Sequence, residues 1–177
     1  TTAAEVNQLD GFAMLQENNS IWLGNDPSGT TDTASFSVAV GTTALDAITT
    51  GDSNVAIGYD ALTANTTGGL NTLVGAYSGD ANTTGSYITG VGHGALGANT
   101  TATANTAIGY SALVAKTTGA NNDALGFDAL FSNTTGTTNS AHGSYALYTN
   151  TTGGYNAAFG GEALRLNTTA SFNAAFG

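Results

Sequence analysis

Bulky apolar, small apolar and polar positions return along this chain at one fixed spacing. A bulky residue stands immediately before a glycine at Val40, Ile57, Val74, Val91, Ile108, Leu125, Phe159 and Phe176, with His142 as the polar member of the column. Leucine follows four places after the glycine at Leu45, Leu62, Leu96, Leu113, Leu130, Leu147 and Leu164, with Gly79 as the departure. Alanine dominates two places before the glycine and three after it, as at Ala56 and Ala61. The glycines, Gly41, Gly58, Gly75, Gly92, Gly109, Gly126, Gly143 and Gly160, are 17 residues apart without insertion or deletion. Such a period implies a stack of near-identical coils, because one extra residue would shift every later column.

The pattern predicts an all-β fold, each coil running strand, glycine corner, second strand and then a turn over Asn-Thr-Thr-Gly. With 25 glycines and no period near 3.6, helix is not expected. The Val/Ile and Leu columns are the expected interior. Side chains alternate across a strand, so the Ala columns are expected on the opposite face, packed closely against another chain. Burying one bulky side chain contributes about 1.5–3 kcal/mol, against about 1–2 kcal/mol of backbone ordering per residue. A single coil therefore cannot stand alone. Asn65, Asn82, Asn99, Asn133, Asn150 and Asn167 suit the turns, and stacked Asn side chains can bond from coil to coil. As Asn-Thr-Thr they also match the glycosylation acceptor, but the turn already demands those letters.

Residues 1–19 lie outside the repeat and read as an N-terminal connector, followed by the solenoid over 20–177. Its first coil, 20–36, is degenerate. Trp22 and Pro27 replace alanines there, and Trp22 reads as a lid over the end of the core. Gly177 falls in mid-repeat, so the natural chain is expected to continue.

Twelve Asp and Glu face two Lys and Arg, a net charge of −10, which argues against a nucleic-acid partner. There is no cysteine, and no apolar run long enough to insert in a membrane. His142 and His93 stand singly, without the paired spacing of a metal site, so no metal or other cofactor is expected. Asp60 and Asp128 share a column but sit four coils apart, roughly 19 Å, too far to act as a catalytic carboxylate pair. The chain reads as a non-enzyme. Tyr145, Tyr148 and Tyr155 belong to an aromatic cluster in the later coils, and their rings suit contact with a glycan.

The run NTAIGYSALVAKTTGAN at 105–121 resembles the glycine-centred repeats of phage tail fibres. NVAIG at 54–58 is similar to the repeat in YadA-like heads of trimeric autotransporter adhesins, and TAAEVNQLDG at 2–11 resembles a connector of tail-fibre proteins. The resemblance implies a left-handed parallel β-roll, three chains about one axis, and no catalytic residue. The coil here is longer than in those heads, which points to the Asn-Thr-Thr-Gly turn as the extra length. The expected role is a structural and adhesive segment of a homotrimeric tail fibre on a virion, touching a host-surface glycan or protein. The alternative is the head of a bacterial surface adhesin. A third reading, ice binding, rests on the file of threonines from Thr66 to Thr168.

Overall fold

The computed structural model describes residues 14–17, 19–24, 33–115 and 118–177. Pro27, Lys116, Thr117 and the connector up to residue 13 lie outside them. Eleven short strands form one sheet in chain order: β1 (Met14–Glu17), β2 (Ser20–Gly24), β3 (Val38–Gly41), β4 (Val55–Ile57), β5 (Thr72–Val74), β6 (Thr89–Val91), β7 (Thr106–Ile108), β8 (Asp123–Leu125), β9 (Ser140–His142), β10 (Ala157–Phe159) and β11 (Ala174–Phe176). From β2 onward every neighbour is parallel and offset by one repeat, Val55 opposite Thr72 and Ala56 opposite Leu73. This is a parallel β-solenoid with 17-residue coils, and no helix occurs among the described residues. At the N-terminal edge β1 folds back antiparallel on β2, so the first parallel strand is paired on both sides.

Each coil carries one strand, not two. Residues two and four places after the glycine have positive φ, 55° at Asp60 and 51° at Leu62, 50° at Ser111 and 52° at Leu113. Left-handed residues two apart bend the chain into successive turns where an extended strand was expected. The amides of Ala61, Thr63 and Asn65 accordingly donate to the carbonyls of Gly58, Asp60 and Leu62, three residues back. A left-handed leucine costs about 1–2 kcal/mol. Leu62, Leu113 and Leu147 are fully buried, and that burial contributes about 1.5–3 kcal/mol, enough to offset the strain.

The interior differs from expectation in all but its leucine column. Leu is inside as predicted, but the Ala columns lie there too: Ala56, Ala61, Ala107, Ala112, Ala141 and Ala146 are all at 0% exposure. The residue before the glycine points out, with Ile57 at 38% and Ile108 at 42%. The physical reason is space. A 17-residue coil must enclose a leucine and two asparagines, which leaves room only for small side chains on the strand's inner face. Close packing of the Ala face against another chain is thereby overturned, because that face is already covered by its own coil.

One coil breaks the columns and repairs itself. Leu73 stands where alanine is usual, while Gly79 replaces leucine and Gly90 replaces alanine in the next coil. A Cβ on Gly79 would lie 3.1 Å from Leu73 Cγ, and one on Gly90 would lie 2.4 Å from Leu73 Cδ1. Leu73 thus fills the room that the two glycines leave.

Two asparagine files run through the interior and bond from coil to coil. Asn82 Nδ2 donates to Asn65 Oδ1 and Asn99 Nδ2 to Asn82 Oδ1, both at 2.9 Å, and each also donates to a carbonyl of its own turn. In the other file, Asn122 and Asn139 accept from the backbone amide of the next coil and donate to glycine carbonyls. Asn99 Oδ1 is buried without a partner among the described residues. In the repeat the next position of that file is 116, where the sequence has Lys116, outside the described residues.

Candidate functional site

With the interior complete, the distinctive surface is the outer side of the strands. The column from Val40 through Ile57, Val74, Val91, Ile108 and Leu125 to Phe159 and Phe176 forms a stripe along the rod, and parallel register places each member beside the next. His142 belongs to this stripe, not to a core. It is half-buried and meets the Phe159 ring edge-on at 4.7 Å.

Just past the glycine corner runs a file of rings, Tyr59, Tyr77, His93, Tyr110, Phe127 and Tyr145, with successive centroids 5.3–5.5 Å apart. Each of six consecutive coils contributes one ring. Where the residue after the glycine is small, at Ala76 and Ser144, the ring moves one place on, to Tyr77 and Tyr145. His93, expected to be a stacked surface or interface residue, is exposed and lies nearly parallel to Tyr110. Such pairs contribute about 0.5–1.5 kcal/mol beyond their burial. Column-by-column reading splits this file between two positions, which is why it is hard to see in the sequence.

Of the three tyrosines proposed for glycan contact, Tyr145 and Tyr148 meet, 5.6 Å apart, and Tyr155 stacks separately on Phe172. The Arg165 guanidinium carbon lies 5.4 Å from the Tyr145 centroid and 5.9 Å from that of Tyr148, and Arg165 also pairs with Glu162. Sequence reading missed this cation. Its spacing of 17 from Tyr148 was the available signal. At the other end Trp22 faces inward in register with Ala39 and is 2% exposed.

The remaining candidates are taken up by structure. The asparagines of five Asn-Thr-Thr sites, Asn65, Asn82, Asn99, Asn133 and Asn150, are fully buried. The hydroxyls of Thr49, Thr66, Thr83, Thr134 and Thr151 each donate to a threonine carbonyl in the next coil. Asp60 accepts from the Thr43 hydroxyl, and burial pushes the Asp128 carboxyl above its usual range. No three His, Asp or Glu side chains converge among the described residues, and no helix there is long and apolar enough to cross a membrane. Set against protein-family models, curated proteins and solved structures, the chain matches none.

Proposed function

We propose that this chain is one of three identical strands of a rod, a structural and adhesive segment of a phage tail fibre in which left-handed β-rolls pack about a common axis. The observation that carries this reading is the stripe of Val, Ile, Leu and Phe on the outer face of a chain whose interior is already filled. A continuous apolar strip in water favours association, and a strip running the whole rod suits a partner of the same length and repeat, a further copy of itself. Three as the number of copies comes from the resemblance of NVAIG to the trimeric heads. The same geometry would serve a bacterial adhesin head. A trimer presents every surface feature three times, so weak contacts with a host surface gain by avidity, and no step of this role requires catalysis.

Light scattering on residues 1–177 is expected to give about three times 17.5 kDa. Ile108→Asp, which puts a charge in the middle of the stripe, is expected to shift the protein to a monomer that keeps its β-type circular dichroism. A wild-type protein that is monomeric at micromolar concentration would overturn the reading.

A further inference from the structure

In one coil only, two surface columns lose their side chains together. The column two places after the glycine reads Asp60, Tyr77, Gly94, Ser111, and the column five places after reads Thr63, Asp80, Gly97, Val114. The result is an open hollow of about 470 Å³ between the coil of Tyr77 and Asp80 and the coil of Ser111 and Val114, with His93 at its side. A Cβ on Gly97 would lie 3.4 Å from Asp80 Oδ1 and 3.5 Å from Val114 Cγ2, so these two atoms flank the missing side chain. Coils two steps apart are separated by about 9.6 Å. The hollow as a whole has room for a sugar-sized ring over the two flanking atoms, with a small substituent reaching between them.

The lining is apolar apart from a few polar groups. Asp80 is half-buried, and that burial raises its carboxyl above the usual range against the opposing pull of its own amide and that of Ala81. No cation pairs with it among the described residues, and Arg165 is engaged by Glu162. Tyr77 and His93 meet at 5.5 Å beside it, and Ser111 supplies a hydroxyl. A half-buried carboxylate next to an aromatic wall favours a cation.

We propose that this notch binds a protonated primary amine carried on a sugar-sized ring, with Asp80 as counter-charge, Tyr77 and His93 as the aromatic wall and Val114 against the ring. Strand residues do not line the notch. It lies within one chain and does not depend on the trimer.

The test follows the His93 ring resonances by NMR at physiological salt while methyl glucosaminide, its N-acetylated counterpart or methyl glucoside is added. The aminated sugar alone is expected to give a saturable shift. Asp80→Asn should weaken it at least tenfold. Gly97→Val, which installs the residue found one coil later at Val114, should abolish it while leaving the thermal midpoint nearly unchanged. Equal binding of all three sugars, undiminished binding by Gly97→Val, or no saturable shift with the aminated sugar would each overturn the proposal.

Discussion

Gly109→Ala is expected to destabilise the protein by about 3 kcal/mol, whereas Gly161→Ala should change it by less than about 0.5 kcal/mol. Two independent penalties meet at Gly109. Its φ of 139° lies where side chains are rarely tolerated, and a Cβ would stand 2.4 Å from the Gly126 carbonyl oxygen of the next coil. Strain of this kind costs about 1–3 kcal/mol by itself. The clash is with backbone, which a small shift between coils can relieve, so the backbone conformation carries most of the cost. Gly161 is exposed, and an added Cβ there meets nothing within 4 Å.

The chain carries its own control for this argument. Ten places after the corner glycine stands a second glycine column, Gly68, Gly85 and Gly136, where an added Cβ would approach the next coil's carbonyl oxygen just as closely, 2.2 Å at Gly68, but without the positive φ, and there the sequence itself substitutes Ala102 and Ala170. No corner position from Gly24 to Gly177 is substituted. Chemical denaturation of the two variants decides the matter, and a Gly109→Ala loss below about 1 kcal/mol would mean the corner is more pliable than argued.

The second large effect is a pair of losses that cancel. Leu73→Ala should cost about 3 kcal/mol, because Gly79 and Gly90 leave nothing to occupy the vacated space. Gly79→Leu alone should cost about 1–3 kcal/mol by overpacking against Leu73. The double variant recreates the Ala-and-Leu arrangement of Ala56 with Leu62 and of Ala107 with Leu113. It should return to within about 1 kcal/mol of the parent, the remainder being the methyl-sized gap at Gly90. Non-additivity of that sign and size marks direct contact. Simple addition of the two losses would show that the columns do not meet.

That contact also shows what could be read in the sequence. The period, the parallel register and the corner glycine are legible because they depend only on spacing. Which face turns inward is harder, since both faces of Val-Ala-Ile are apolar and bulk alone favours the wrong one. Two signals pointed the other way. Asn54 lies an even number of residues from Ala56, on the same side of the strand, and Leu73 enlarges one column where Gly79 shrinks the other. The missing second strand has no comparable signature, because Leu62, Tyr77 and Ser111 are not residue types that advertise left-handed backbone. Of the outer surface, the apolar stripe was visible as a column assigned to the wrong side. The ring file was hidden by its shift between two positions, and the notch by being an absence of side chains.

One-repeat register also sets how the rod converts chain into distance. Each coil spends 17 residues to advance by one strand spacing, about 4.8 Å, whereas the same stretch as an α-helix would advance about 25 Å. Such a shaft is a poor means of reach and a good means of girth: it is broad, cross-linked to its neighbours at every level, and resistant to bending. Its length changes only in whole coils, so removing residues 105–121 would shorten it by one step and leave the cross-section elsewhere as it was.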